Sequence, residues 1–296
     1  LWKPGVRPAF ASKMKAYHIN WTKPFLELSP NTPYAIPDYA LLTTILSAAC
    51  LQQNSGPVQM ITDRAGAAYY RSIGLDRLWH GGMLAPLDQW IPACVNPICF
   101  WAAGKLYTLL HKTAPCLIVD TDFIIWKNIS GLLSGCKIAA IHDEPLSPEV
   151  YPPFSALQTN FSMHSSFDLT LRPANTALLY FQDTDFMHDY AKTAISFLEQ
   201  TPSPDNRLTY MVFAEQRLLP LCAKQAHIPI RYLRSFSQLF SNEEQTFTHV
   251  WGHKTVLEAS ASIRADFCAA CVRRILADFP AYGPMLYAVP SLQVYL

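Results

Sequence analysis

Two aspartates one residue apart close an apolar run, Leu117-Ile118-Val119-Asp120-Thr121-Asp122-Phe123. A buried strand ending in two carboxylates offers hard oxygen ligands to a divalent cation, and a cation held there can bridge to a diphosphate. In open α/β sheets, ligands bind at the carboxyl ends of strands, where this pair is expected to lie. The same triplet recurs at Asp183-Thr184-Asp185, again between a strand-like run and a helix-like one. There Asp183 or Asp185 is placed to cap the helix N-terminus. The triplet alone is therefore a weak signal, and its neighbours carry the argument.

Two further groups bear on it. Thr248-His249-Val250-Trp251-Gly252-His253-Lys254 sets an imidazole beside a glycine and a lysine. A neutral imidazole completes a metal shell, a glycine admits close backbone approach to a phosphate, and a lysine neutralises a leaving diphosphate. The plainer reading is a surface turn with a packed His and a solvated Lys. Glu215 and Gln216, within Phe213-Ala214-Glu215-Gln216-Arg217, put a carboxylate beside an amide, facing either a substrate or solvent.

Positioning these groups requires alternating strands and helices, and the chain shows them. Strands are expected at residues 15–21, 58–62, 116–119, 137–141, 175–181 and 230–233. Helices are expected at 39–52, 67–73, 97–112, 185–198, 208–226 and 259–277. The run at 116–119 is apolar throughout, as in a strand buried on both faces. Such alternation predicts an α/β fold with a mostly parallel central sheet flanked by helices. Residues 145–153 hold four prolines and read as a loop between two halves.

Composition agrees with a large folded domain. Of 296 residues, 50% are hydrophobic and 15% charged, which excludes a disordered chain. The net charge of +1 gives no reason to expect a nucleic-acid partner. No run is long and apolar enough to span a membrane, and the opening Leu-Trp-Lys-Pro-Gly lacks a signal-peptide core. Contact with a membrane surface is left open, without a basic amphipathic helix to support it. The eight scattered cysteines point to reduced, packed thiols and a cytoplasmic location. Cys268 and Cys271 form the one CxxC, on a helix and without a second pair for zinc.

In order and spacing these motifs resemble glycosyltransferases of the GT-A fold, in particular family 8, the glycogenin-like and lipopolysaccharide-galactosyltransferase-like enzymes. They also resemble a group of bacterial sequences marked by Thr62-Asp63-Arg64-Ala65-Gly66 after the second strand and Trp101-Ala102-Ala103-Gly104-Lys105 before the Asp120 strand. The resemblance spans residues 14–255. It implies one GT-A-like (Rossmann-like) domain over 14–277, with a nucleotide-sugar-binding half at 14–145, an acceptor-side half at 146–277 and a C-terminal tail at 278–296. It implies Mn²⁺ or Mg²⁺ on Asp120, Asp122 and His249. Gly252 and Lys254 are implied to contact the diphosphate, and Lys105 and Asp63 to serve donor binding. Asn175, Glu215 and Gln216 would line the sugar and acceptor pocket. The activity implied is hexosyl transfer from a nucleotide-sugar, a UDP-sugar foremost, to a glycan or lipid-linked acceptor in polysaccharide biosynthesis, with configuration retained.

The chain departs from that pattern at three places. Asn175-Thr176-Ala177 stands where Asn-x-Gly is usual, Lys254 follows His249 by five residues rather than six, and Glu215 replaces an Asp. The first departure keeps a rival in view, a GT-A-like protein that binds nucleotide or glycan without turnover. A haloacid-dehalogenase-like phosphatase also ends a strand in DxD, but Ile124 stands where that class carries Thr or Val. A nucleotidyltransferase needs a glycine-rich loop after the first strand, and Asn20-Trp21-Thr22-Lys23-Pro24 has no glycine.

Overall fold

The computed structural model describes residues 14–201 and 206–296. The opening Leu-Trp-Lys-Pro-Gly, read above as lacking a signal-peptide core, lies outside the described residues. Among the described residues nine strands are formed: β1 (Lys15–Asn20), β2 (Val58–Thr62), β3 (Met83–Leu84), β4 (Cys116–Val119), β5 (Phe123–Ile125), β6 (Ile138–Asp143), β7 (Ala174–Phe181), β8 (Ile230–Tyr232) and β9 (Phe247–His249). The first helices are α1 (Lys23–Leu28), α2 (Asp38–Ser55), α3 (Arg64–Ser72), α4 (Leu87–Trp90), α5 (Ala103–His111) and α6 (Ser130–Leu133). They are followed by α7 (Thr184–Glu199), α8 (Arg207–Val212), α9 (Leu218–Gln225), α10 (Phe236–Leu239), α11 (Lys254–Ala259), α12 (Ala261–Asp278) and α13 (Gly283–Ala288).

Seven strands make one sheet in the order β3-β2-β1-β4-β7-β6-β8. Pairs β1/β2, β1/β4, β2/β3 and β6/β8 are parallel, and β7 runs antiparallel to both its neighbours. The expected α/β class with a mostly parallel sheet is what the chain adopts. Central strand β4 shows why. Leu117 and Val119 enter the core on one face, Cys116 and Ile118 the core on the other, and all four are buried. The first core is closed by α2 and α12, the second by α5, α7 and α9. Helix α2 is apolar around most of its circumference and accordingly lies buried.

Local chemistry explains where elements start and where the expected ones fail. The helix expected at 97–112 begins only at Ala103. Asn96 Oδ1 accepts the amide hydrogens of Ile98 and Cys99, which offers that backbone an alternative to helix. Asp63 caps α3, so that helix starts at Arg64 rather than 67. The helix expected at 208–226 is interrupted by a π-helical turn, Phe213–Arg217. Asp183 caps α7 through the amides of Asp185 and Phe186, as its position before a helix implied. Cys268 and Cys271 are buried in the core on α12, and all eight cysteines are free thiols.

The proline-rich stretch at 145–153 joins β6 to β7, neighbours in one sheet. The segment after α12 packs into the first core through Tyr282, Leu286, Val289 and Leu292, and Gln52 donates to the Tyr282 hydroxyl at 3.0 Å. Among the described residues no helix is long and apolar enough to cross a membrane.

Candidate functional site at the carboxyl edge of the sheet

Strand direction decides which residues meet. Strand β4 ends at Val119, so Asp120 and Asp122 follow at its carboxyl end. Because β7 is antiparallel to β4, its first residues, Asn175 and Thr176, lie at the same edge, and the Asp120 amide donates to Ala177 O at 2.8 Å. Because β6 is antiparallel to β7, its last residues and Glu144 come there too. A separate two-stranded ribbon, β5 with β9, pairs Phe123 with His249, and the Val250 amide donates to Asp122 O at 3.0 Å. The ribbon therefore carries His249 back to Asp122 across more than a hundred residues of chain.

At the centre is a buried ammonium. Lys105, the third residue of α5, bonds to Asp120 Oδ1 at 2.8 Å, to Glu215 Oε1, and to Thr176 O at 3.1 Å. All three of its donors are used. Burial alone would lower the Lys105 pKa, but Asp120 and Glu215 lift it above its ordinary value. The Asp120 pKa is raised to about 6, by burial first, with Lys105 pulling the other way and Asp122 and Glu215 adding to the rise. Glycine at 104 lets α5 sit this close to β1, since a β-carbon there would stand 3.1 Å from Ile19 Cγ2 and Leu87 Cδ1. The Trp-Ala-Ala-Gly-Lys motif thus reads as close helix packing that delivers Lys105.

Glu215 and Gln216 lie on the π turn, a feature that recurs at functional sites. The turn is held from outside: the Tyr190 hydroxyl donates to Glu215 O at 2.5 Å and Thr176 Oγ1 to Glu215 Oε1 at 2.7 Å. Tyr151 donates to Gln216 Oε1 at 2.7 Å. Asn175 donates from its amide to Glu144 Oε1 at 2.9 Å. The Ala177 methyl, where a glycine was expected, is buried in the first core.

Lys254 opens α11 and bonds to Asp122 Oδ2 at 2.7 Å, with 41% of its side chain exposed. Burial would raise the Asp122 pKa, but Lys254 and His249 hold it below its ordinary value. Burial pushes the His249 pKa down to about 4, so the ring is neutral near pH 7. Its Nδ1 is buried without a hydrogen-bond partner, an unusual state for a buried polar atom. Gly252 has no backbone need to be glycine. A β-carbon there would meet only Phe240 Cε1 at 3.8 Å, so the small residue leaves its surface open.

Asp63 follows the end of β2 at the same edge of the sheet and makes its own set of bonds. Its carboxylate is buried and accepts from the Thr22 amide and hydroxyl, each at 2.8 Å, from Lys23 N at 3.3 Å and from Gly66 N at 2.8 Å. The structure places it as the joint between the end of β1 and the start of α3. The donor set Asp120, Asp122 and His249 has the chemistry a hard divalent cation takes, and the orphaned Nδ1 fits a missing ligand. Lysines occupy both carboxylates, however, and among the described residues no three acidic, His or Cys side chains stand ready around a common ion point. Sequence reasoning overlooked Thr176, Glu144, Tyr151 and Tyr190, which orient the site. Thr176 was visible within the Asn175 triplet, whereas Tyr151 was hidden by the loop reading of residues 145–153, and Glu144 stands just before that stretch.

The model of the Family of unknown function (DUF6734) matches residues 14–287. The chain belongs to that family. No curated protein matches it. Among solved structures, it is similar to the galactosyltransferase LgtC in complex with donor and acceptor sugar analogs. That match has 11% identity over 68% of this chain and 70% of the other, with a TM-score of 0.36. An active-site mutant of LgtC matches at 10% identity over 68% and 69%, with a TM-score of 0.35. Mouse xyloside xylosyltransferase 1, apo form, matches at 8% over 74% and 84%, with a TM-score of 0.37. These solved relatives are glycosyltransferases, and the likeness is loose and extends to no individual residue.

Proposed function

We propose that this chain is a metal-dependent glycosyltransferase that moves a sugar from a nucleotide-sugar, a UDP-sugar foremost, to a glycan or lipid-linked acceptor. The observation that carries the reading is the meeting of Asp120, Asp122, Lys105, Lys254 and the orphaned His249 Nδ1 at one strand edge. A diphosphate brings negative charge that must be met by cations. Lys254 is the accessible partner: it is part-exposed and, among the described residues, bonded to Asp122 alone, so it can turn from the carboxylate to a phosphate. Asp120, Asp122 and the neutral His249 would then hold Mn²⁺ or Mg²⁺. When bound, the ion supplies positive charge to the diphosphate.

The chain's own residues do the rest. Lys105 locks Asp120 and Glu215 in fixed orientation, which avoids reorganisation during reaction. Gln216 on the π turn and Asn175 on β7 present amides to the transferred sugar. The acceptor hydroxyl attacks the anomeric carbon, the bond from that carbon to the diphosphate oxygen breaks, and the hydroxyl proton passes to the departing diphosphate. Retention of configuration is part of the proposal. So is a cytoplasmic location, a compartment that keeps eight thiols reduced.

The test is a thermal-shift panel of UDP, GDP, CDP and ADP, with and without Mn²⁺, on wild type and Asp122→Ala. Ligand at a hundred times its Kd stabilises the fold by about 2.7 kcal/mol. A shift requiring one nucleotide and Mn²⁺ together, and lost in Asp122→Ala, is expected, followed by donor-sugar hydrolysis. No shift with any nucleotide would refute the reading.

A further inference from the structure

Three aromatic rings stand in water beside the site without an evident structural reason. Phe236 is 46% exposed, Phe240 39% and Trp251 59%. Clustered exposed apolar surface next to a cleft commonly marks a binding groove. The rings are displayed on fixed backbone: α10 opens with a capping box in which Ser235 and Gln238 satisfy each other's amides. Phe236 packs edge-on against His142 at 5.4 Å, and His142 lies 3.7 Å from Glu144, the partner of Asn175. Phe240 packs on Phe236 at 4.9 Å and is the nearest neighbour of the open surface at Gly252. Trp251 adjoins His249 at 6.1 Å between ring centres. The row therefore runs along the site from the Asn175–Glu144 corner to the His249 ribbon.

We propose that Phe236, Phe240 and Trp251 form the acceptor subsite and that they bind the apolar faces of pyranose rings; this rests on the glycosyltransferase reading above. A sugar ring has an apolar face of C–H bonds and an equatorial belt of hydroxyls. It therefore needs flat apolar planes next to carboxylates and amides. The aromatic row supplies the planes, and Glu144, Asn175 and Gln216 supply the polar groups. Beside the row, Arg234 is engaged by Glu244 and Lys254 is taken by the donor diphosphate, so neither offers a free positive rim to anionic lipid headgroups.

The experiment is saturation-transfer difference NMR with lactose, N-acetyllactosamine, maltose and a uronic-acid disaccharide. It compares wild type, Trp251→Ala and Phe236→Ala/Phe240→Ala, with circular dichroism to verify folding. Transfer to the axial ring protons of at least one disaccharide is expected in wild type. Each ring removed should weaken binding by a few-fold to about tenfold, the range of one aromatic contact. The Mn²⁺- and nucleotide-dependent thermal shift should be unchanged in these variants. No saturation transfer to any of the four disaccharides would overturn the proposal. So would loss of the nucleotide shift in the ring variants, which would assign the row to the base, or Trp251-dependent binding to phosphatidylglycerol vesicles without sugar binding. Saturation transfer to a disaccharide in a protein that shows no nucleotide shift would refute the transferase reading and leave the glycan platform standing.

Discussion

Replacing Lys105 by methionine isolates the ion cluster at the heart of the site. The substitution keeps side-chain volume but removes the one ammonium that separates Asp120 from Glu215. Glu215 is almost wholly buried, with its side chain 3% exposed, and the Thr176 hydroxyl is then the side-chain partner its carboxyl retains. Removing one partner of a buried ion pair typically costs about 3–5 kcal/mol, because the remaining charge is uncompensated. Asp120 has 36% of its side chain exposed and regains water, so the lower end applies, about 3 kcal/mol. At roughly 2 °C per kcal/mol for a chain of this size, Tm should fall by about 6 °C. The double variant Lys105→Met/Glu215→Gln removes both charges and should recover at least half of that loss. Thermal and urea unfolding of wild type, both single variants and the double variant give the coupling directly. A loss below about 1 kcal/mol in Lys105→Met, or a double variant no more stable than it, would refute the reasoning.

Three further outcomes are expected. Gly66→Ala should destabilise severely, by about 3 kcal/mol or more, since its β-carbon would stand 2.1 Å from Thr62 Oγ1 and 3.1 Å from Asp63 Oδ1; a Tm within a degree of wild type would contradict this. His18 is buried between the Trp79 indole, which donates to Nδ1 at 3.2 Å, and Ser47 at 3.1 Å, and burial lowers its pKa to about 3. The unfolded chain then binds a proton that the folded one refuses. Stability is therefore full above pH 6.5 and falls below it, by about 2 kcal/mol at pH 5 from this residue. His18→Gln should lower the slope of unfolding free energy against pH between 6.5 and 5 by close to one proton, and an unchanged slope would dispose of the idea. Asp120, with its pKa raised to about 6, should govern metal loading. The Mn²⁺-dependent nucleotide shift is expected in full above pH 7 and to fade as pH drops through 6, since a protonated carboxyl does not ligate. Persistence of the whole shift at pH 5 would contradict that assignment.

Much of the fold was legible because periodicity and apolar runs are local properties. The strands at 15–21, 58–62, 116–119 and 175–181 all form, and the α/β class follows from their alternation with helices. Local capping signals were equally readable, as Asp183 shows. The expected helix at 97–112 failed at its start because Asn96 draws the amides of Ile98 and Cys99 to its own side chain. The π turn was illegible, since nothing in Phe213–Arg217 distinguishes it from an α-helical sequence, and its carbonyl at Glu215 is held by Tyr190 from another helix.

Residue types and their order along the chain were enough to single out Asp120, Asp122, Glu215, His249 and Lys254 as candidates, and the family resemblance added Lys105. Their pairing came from tertiary structure alone. Antiparallel β7 brings Thr176 to the end of β4, and the β5/β9 ribbon brings His249 to Asp122. The packing of α5 and the π turn against that edge makes Lys105 a shared counter-ion for Asp120 and Glu215, and the β1/β2 pairing brings Thr22 to the buried Asp63 carboxylate. The physical reason is that a side chain's reach and solvation, which set its charge state and its partners, depend on what the fold packs around it, and strand direction rather than local sequence decides that.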